Sequence, residues 1–117
     1  MNVALDYDGV ISANWDHYFQ LAFDLVRSGH VVHIITAANP KRIHEVHEFL
    51  MAHFIKSPNV VVHCRPLDFE PTQKNIGEWK KKVLKENNID MWFDNEVKNY
   101  EREGVGFSDI KAAIVRV

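Results

Sequence analysis

The sequence predicts an α/β fold, a three-layer sandwich in which helices cover a central, mostly parallel sheet. Short apolar runs alternate along the 117 residues with segments whose apolar residues recur at helical spacing. Strands this apolar are typical of parallel sheets that are buried on both faces. The sequence contains neither a repeat nor a linker-like stretch, and we therefore expect one domain over residues 1–117.

The first half of the chain predicts two strands joined by a helix. The apolar run 3–5 ends at Asp6, and after a short turn the helical spacing of apolar residues covers 15–27. Gly29 follows at the position where a residue in the left-handed conformation ends many helices. The next apolar run, 31–35, is the second predicted strand.

The second half continues this alternation. The predicted elements are a helix over 40–54, a strand over 60–62, a loop over 64–72, a helix from Thr72 or Gln73 to about 87, a strand over 91–93 and a helix over 96–103. The tail is open to two interpretations. Residues 105–107 are a candidate strand, and 112–117 form either another strand or the end of a helix.

Polar side chains follow three of the predicted strands. Asp6, Thr36 and Asp94 each end an apolar run, and right-handed crossovers bring such strand ends to one edge of a parallel sheet. Asp8, two residues beyond Asp6, can face the same space across a turn that Gly9 permits. Each residue alone is commonly a turn former or a helix cap. Their joint placement indicates a site.

A lysine is expected at the same edge. The helix before the fourth strand runs antiparallel to that strand, so its first turn lies at the edge, and Lys74 is in that turn. At about 1.5 Å per residue, Lys80 and Lys85 lie roughly 9 Å and 16 Å lower. The helix geometry therefore favours Lys74 as the lysine of the site.

This set of side chains indicates phosphoryl chemistry. Three clustered carboxylates raise one another's pKa unless a cation lies between them, and oxygen ligands without cysteine favour a hard ion such as Mg²⁺. A hydroxyl and an ammonium opposite that ion suit an anion with several oxygens. The interpretation is phosphoryl transfer by covalent catalysis on an aspartate, with Mg²⁺ and Lys74 offsetting charge on the transferring group.

Four segments, in this order, resemble the motifs of the haloacid dehalogenase-like (HAD) superfamily. They are Val3-Ala4-Leu5-Asp6-Tyr7-Asp8-Gly9-Val10, Ile34-Ile35-Thr36, Lys74 and Trp92-Phe93-Asp94-Asn95-Glu96. The resemblance covers residues 3–96. It implies a Rossmann-like, HAD-like sheet and a phosphohydrolase.

The resemblance also implies roles for single residues. Asp6 would be the nucleophile that forms the aspartyl-phosphate, and Asp8 would protonate the leaving group and then activate water. Asp6, Asp94 and the backbone carbonyl of Asp8 would hold Mg²⁺, while Thr36 and Lys74 would hold the phosphoryl oxygens. Dehalogenases of the superfamily lack the second aspartate, so Asp8 indicates a phosphatase, in agreement with the need of an alkoxide leaving group for an acid.

The fourth motif departs from the family pattern, which commonly has a second acid close to the first. Asn95 follows Asp94 directly, and Glu96 is a substitute candidate. Asn95 can hold a metal-bound water or act as a ligand through its oxygen.

The short connections leave no room for a cap domain. Caps in such phosphatases follow the first motif or the third strand, and neither the residues after Gly9 nor the loop 63–73 is long enough. An open site favours a nucleotide, a nucleic-acid end or another large phosphorylated partner, or is closed by oligomerisation. Trp15 and Arg65 are candidate substrate contacts, although Trp15 can equally cover the core.

Composition excludes several other classes. The formal net charge of −2 gives no bulk attraction to nucleic acid or anionic lipid, so any nucleic-acid contact would be local. No apolar run approaches the roughly 20 residues of a membrane span, and a single cysteine, Cys64, fits a reducing compartment. We therefore expect a cytoplasmic protein. His44 and His47 are three residues apart, which is not the zinc-protease spacing.

Two alternatives stay open. One is a phosphoacceptor signalling domain of the receiver type, whose acceptor aspartate lies on the third strand, whereas the third strand here ends in His63-Cys64. The other is a non-catalytic binding module on the same scaffold, which the asparagine at position 95 makes conceivable.

Overall fold

A computed structural model of the chain describes residues 1–37, His44, Glu48, 58–66 and 68–117. The predicted helix over 40–54 lies outside these residues except for His44 and Glu48, which are helical and exposed.

Strands and helices alternate as the sequence predicts. The elements are β1 (Asn2–Asp6), a tight turn (Tyr7–Ile11), α1 (Trp15–Arg27), β2 (Val31–Thr36), β3 (Val60–Cys64), α2 (Gln73–Glu86), β4 (Met91–Asp94), α3 (Val97–Arg102) and β5 (Ala113–Arg116). The predicted bounds of the helix over 15–27 are confirmed. Of the two interpretations of 112–117, the strand is observed, as β5. Residues 105–107, the other candidate strand, form neither a strand nor a helix.

The five strands form one sheet in the order β3-β2-β1-β4-β5. All four pairings are parallel, which confirms an α/β fold with a parallel sheet, and the order is compatible with a Rossmann-like arrangement. Leu5 of β1 lies beside Ile34 of β2 on one side and beside Phe93 of β4 on the other. Asp6, Thr36 and Asp94 therefore end neighbouring strands at one edge, which we call the carboxyl edge.

Apolar side chains cover both faces of the sheet. Because successive residues of a strand point to opposite faces, Val3 and Leu5 of β1 join one buried cluster with Tyr18 and Ala22 of α1. Ala4, between them, joins a second cluster that includes Val83 and Leu84 of α2 and Trp92 of β4. The sheet is thus buried between α1 on one side and α2 on the other.

A glycine brings α2 and α3 into close contact. A Cβ atom added to Gly77 of α2 would lie 2.9 Å from Cβ and 3.0 Å from Cγ of Tyr100 on α3, and contacts this short do not occur between packed carbon atoms. The missing side chain therefore lets the Tyr100 ring lie against α2, where it also reaches the Lys80 side chain, with Nζ 5.1 Å from the ring centroid.

No helix in the described part of the chain is both long enough and apolar enough to cross a membrane.

Candidate functional site

A buried lysine joins two strand-end aspartates at the carboxyl edge. Nζ of Lys80 on α2 lies 3.0 Å from Oδ1 of Asp6 and 2.7 Å from Oδ2 of Asp94, and it donates a hydrogen bond to each. None of the three side chains is more than 3% exposed. Three elements that are distant in sequence are therefore tied together by one buried charge cluster.

This arrangement corrects the choice of Lys74. Lys74 is exposed, and its neighbour Gln73 lines the cleft at the carboxyl edge, as does Lys80. Backbone position alone favours Lys74, but the length and direction of the side chains decide which lysine reaches the aspartates. A helical side chain tilts toward the helix N-terminus, and the four-carbon stem of a lysine spans much of the roughly 9 Å between the two positions.

The lengths of the elements support this correction. α2 has 14 residues and β4 has four, so the helix is about 21 Å long and the strand about 13 Å. The first turns of α2 therefore extend beyond the strand ends, and a residue two turns into the helix faces the carboxyl edge. A signal for Lys80 does exist in the sequence. Lys80 stands four residues after Ile76 and three before Val83, on the apolar stripe of the helix, where a lysine needs a partner.

Burial and charge determine the protonation of the cluster. Burial raises the pKa of Asp6 to about 8, with a smaller increase from Asp94, while Lys80 opposes the rise. Burial alone would lower the pKa of Lys80, but the charges of Asp6 and Asp94 outweigh it, and the pKa is raised. Lys80 is thus a permanent cation.

Asp8 and Thr36 meet beside this cluster. Oγ1 of Thr36 donates a hydrogen bond to Oδ2 of Asp8 over 3.2 Å. Thr36 is fully buried and Asp8 is exposed, so a fixed hydroxyl orients a carboxylate that is open to solvent. The sequence placed both residues at one edge, and the structure brings them into contact.

Asn95 lies against the turn that follows β1. The end of its side chain is 3.2 Å from the backbone carbonyl oxygen of Asp8 and 3.3 Å from Oδ2 of Asp6, and the amide nitrogen in that place donates to both. Gly9 makes room for this contact, because an added Cβ would lie 2.2 Å from one terminal atom of the Asn95 carboxamide and 2.8 Å from its Cγ. Gly9 also has φ +83°, a conformation in which other residues are strained.

Asp94 and Glu96, on either side of Asn95, form hydrogen bonds with other groups. The backbone N–H of Glu96 donates to Oδ1 of Asp94 over 2.7 Å, so both oxygens of Asp94 already accept a hydrogen bond. The Glu96 carboxylate accepts a hydrogen bond from the Asn99 side chain. Asp94 is thus oriented toward Lys80 and the start of α3.

The metal ligands expected from the sequence do not form a three-carboxylate site. Among the described residues, no three His, Cys, Asp or Glu side chains are grouped so that they could hold a metal ion. Three oxygen-bearing groups do converge, namely the Asp6 carboxylate, the Asp8 carbonyl and the Asn95 carboxamide. Their donor chemistry fits a hard cation such as Mg²⁺.

An open cleft gives access to these groups. It has a volume of about 290 Å³, and its lining includes Asp8, Lys80, Asn95, Gln73, Ile76 and Tyr100. Its lining combines charged and polar side chains with those of Ile76 and Tyr100. Such a cleft suits a small anionic group with a carbon-bearing remainder.

Arg65 and Trp15 have partners within the chain. Arg65 donates from Nε to the carbonyl oxygen of Ala37 over 2.8 Å and from its guanidinium to that of Phe69 over 3.1 Å, which ties together two loops near the carboxyl edge. The Trp15 ring packs on Tyr7 and Phe19, with centroids 5.5 Å and 5.3 Å apart. A contact between either residue and a substrate stays a prediction.

Fold and site together define a small α/β protein with an acidic, lysine-bearing site at the carboxyl edge of a parallel sheet. No protein-family model matches the chain, and neither a curated protein nor a solved structure matches it.

Proposed function

We propose that the protein is a Mg²⁺-dependent phosphomonoesterase of the HAD-like type, a three-layer domain without a cap. The observation that carries this proposal is the buried contact of Lys80 with Asp6 and Asp94, beside the contact of Thr36 with Asp8. The proposal is supported by the shared position of Asp6, Lys80 and Asp8, which line one cleft and would serve as nucleophile, cation and acid. Lys80 takes the phosphate-binding role that the family resemblance gave to Lys74.

The reaction has two balanced steps on these residues. The Asp6 carboxylate attacks phosphorus, and an aspartyl-phosphate bond forms as the bond to the leaving oxygen breaks, while Asp8 gives that oxygen its proton. Asp8 then takes a proton from water, which attacks phosphorus and releases inorganic phosphate and the free Asp6 carboxylate. Lys80 offsets charge on the phosphoryl oxygens throughout.

A divalent cation fits this scheme through Asp6, the Asp8 carbonyl and Asn95. When bound, Mg²⁺ supplies positive charge beside the nucleophile and the phosphoryl group. The pKa of Asp6, raised to about 8 by burial, makes such a charge useful, because only the ionised carboxylate attacks. The sequence prediction of Asp94 as a further ligand remains part of the proposal.

The short connections around the cleft support an open site that accepts a large substrate. The chain passes from Asp6 through the tight turn to α1 at Trp15, and from Cys64 to α2 at Gln73. Neither connection carries a domain that could close over a small molecule, so we propose a nucleotide, a nucleic-acid end or another large phosphorylated partner, with closure by oligomerisation as a second route. A cytoplasmic location fits this proposal.

The strand order argues against the receiver-type alternative. Flavodoxin-like sheets, which include receiver domains, have the order 2-1-3-4-5, whereas this sheet has the order 3-2-1-4-5. The end of β3 carries His63 and Cys64 where an acceptor aspartate would stand. Hydrolysis assays distinguish the other alternative, a non-catalytic module that binds phosphate without turnover.

Hydrolysis assays test the proposal. Purified protein with MgCl₂ is offered an aryl phosphate, nucleotides and oligonucleotides with 3′- or 5′-phosphates, and released phosphate is measured. We expect activity that Asp6→Asn abolishes and that Asp16→Asn, an exposed aspartate on α1, leaves unchanged. Acid-quenched reactions with labelled substrate should leave phosphate on the wild-type protein. Binding without turnover would favour the binding module, and full activity of Asp6→Asn would overturn the mechanism.

A further inference from the structure

Tyr100 on α3 is only 2% exposed, and yet it lines the cleft at the carboxyl edge. We propose that its phenol O–H is a further phosphate-binding group of the site and donates a hydrogen bond to a non-bridging oxygen of the phosphoryl group. This inference rests on the proposed function. It adds to that function a residue that neither the sequence motifs nor the strand ends indicate.

The first observation is the position of Tyr100 beside Lys80. Nζ of Lys80 lies 5.1 Å from the centroid of the tyrosine ring and donates hydrogen bonds to Asp6 and Asp94. An ammonium group only donates, so the phenol oxygen can accept from Lys80 but cannot donate to it. The proton of the phenol therefore points away from the lysine.

The second observation is that this proton has no acceptor within the part of the chain that the structure describes. Both oxygens of Asp94 already accept hydrogen bonds, one from Lys80 and one from the Glu96 backbone N–H. A phenol O–H in the wall of a cleft then bonds to water or to a ligand, and an anionic oxygen is the stronger acceptor of the two. Tyr100 is thus free to bind an anion that enters the cleft.

The third observation is that the phenol keeps its proton. Burial raises the pKa of Tyr100 above its ordinary value, and Asp94 and Asp6 add to the rise, while Lys80 opposes it. The side chain is therefore a neutral donor near pH 7. A neutral donor suits this place, because a second cation would be repelled by Lys80.

The fourth observation is the fixed position of the ring. It lies in the space that Gly77 leaves, where an added Cβ would be 3.0 Å from Cγ of Tyr100, and it packs on Phe107 with ring centroids 6.4 Å apart. A donor that is held in place before the ligand arrives loses little conformational freedom on binding. The packing therefore supports a role that depends on where the hydroxyl stands.

Calorimetric titration of the full chain with inorganic phosphate, in the presence of MgCl₂, tests the proposal. Tyr100→Phe removes the hydroxyl and keeps the ring beside Gly77 and Lys80. We expect phosphate binding to weaken by about 10- to 100-fold, as the loss of one hydrogen bond to a charged group does. The matched control is Tyr18→Phe, the same change at a buried tyrosine of α1 on the other face of the sheet, which should bind like the wild type. Unweakened binding in Tyr100→Phe would overturn the proposal.

Kinetics separate contact with the phosphoryl group from contact with the rest of the substrate. In Tyr100→Phe we expect kcat/KM to fall by the same factor for an aryl phosphate and for a nucleotide, because both carry the same phosphoryl group. Clearly unequal losses would mean that the hydroxyl recognises the remainder of the substrate, which contradicts the proposal.

The ¹³Cζ signals of the tyrosines give a readout that needs no variant at position 100. The chain has three tyrosines, so the Tyr100 signal is the one that persists in both Tyr7→Phe and Tyr18→Phe. We expect it to shift when phosphate is added, whereas the Tyr18 signal should stay in place. A Tyr100 signal that does not move at saturating phosphate would count against the inference.

The outcomes for the wild type distinguish the two proposals. If the wild type hydrolyses phosphate esters and Tyr100→Phe binds phosphate equally well, only this inference fails. If the wild type neither binds phosphate nor releases it from any substrate, the proposed function fails together with the inference.

Discussion

Nζ of Lys80 lies 2.7 Å from Oδ2 of Asp94, and both side chains are almost completely excluded from solvent. The same ammonium group contacts Asp6, so one cation serves two buried carboxylates on neighbouring strands. Removing a partner from a buried ion pair costs far more than removing an exposed one, because the remaining charge stays in a medium of low polarity.

Replacement of Lys80 by methionine should therefore impair both folding and activity. Lys80→Met leaves Asp6 and Asp94 without their cation, and we expect the free energy of unfolding to fall by about 3–5 kcal/mol. Urea denaturation measures the loss, and phosphatase assays measure the effect on activity. Lys74→Met, on the exposed surface of the same helix, should change stability by less than about 0.5 kcal/mol. A larger loss of activity in Lys74→Met than in Lys80→Met would restore Lys74 as the lysine of the site.

Thr36 should act on catalysis by orienting Asp8. Thr36→Val removes the 3.2 Å hydrogen bond while keeping the side-chain shape, and we expect kcat/KM to fall by up to about 100-fold. Thr36→Ser, which keeps the hydroxyl, should recover most of the loss. The measurement is kcat/KM against pH. A merely structural role predicts equal losses in both variants and an unchanged pH profile.

Gly77 should resist substitution although alanine is the better helix former. Alanine favours the helical state by about 1 kcal/mol relative to glycine, but at Gly77 its Cβ would collide with Tyr100. Overpacking of this kind costs about 1–3 kcal/mol, and we expect a net loss of stability in urea unfolding. Glu78→Ala, at the next and exposed position, is the control and should be near neutral. A stabilised Gly77→Ala protein would show that the helices can move apart freely.

Two histidines form a hydrogen-bonded chain between β2 and β3. Nδ1 of His33 lies 2.9 Å from Nε2 of His63, and Nε2 of His33 lies 3.1 Å from Oδ1 of Asn2. The Asn2 oxygen only accepts, so Nε2 of His33 carries a proton and donates it. Nδ1 of His33 then accepts from Nε2 of His63, and a proton added to Nδ1 would set its N–H against the N–H of His63.

This histidine chain should make stability fall in mild acid. Burial lowers the pKa of both imidazoles, and His63 lowers that of His33 further. The unfolded chain, with a histidine pKa of about 6.5, then binds more protons than the folded chain below that pH, so the free energy of unfolding decreases as the pH falls from about 6.5. Urea melts between pH 5 and 8 measure the slope. His63→Gln should flatten it, and His17→Gln, an exposed change on α1, should not. An equally steep slope in His63→Gln would contradict this origin.

The sequence was sufficient for the first four strands and for the polar residues that end three of them. Asp6, Thr36 and Asp94 follow apolar runs, and a parallel sheet necessarily gathers such residues at one edge. The lysine could not be chosen from backbone positions alone, because the choice depends on how far a side chain reaches and on how far α2 extends beyond β4. The contact between Asn95 and Gly9 was equally out of reach, since it depends on the exact approach of two turns that are far apart in sequence.

The strand order places both aspartates of the charge cluster on inner strands of the sheet. Asp6 ends the central strand β1, which is flanked by β2 and β4, while β3 and β5 form the two borders. Strands at a border lose their hydrogen bonds first during local opening, and central strands open only with the whole protein. Fraying at either border therefore leaves Asp6, Thr36 and Asp94 in place, and amide hydrogen exchange should be slowest in the strands that these residues end.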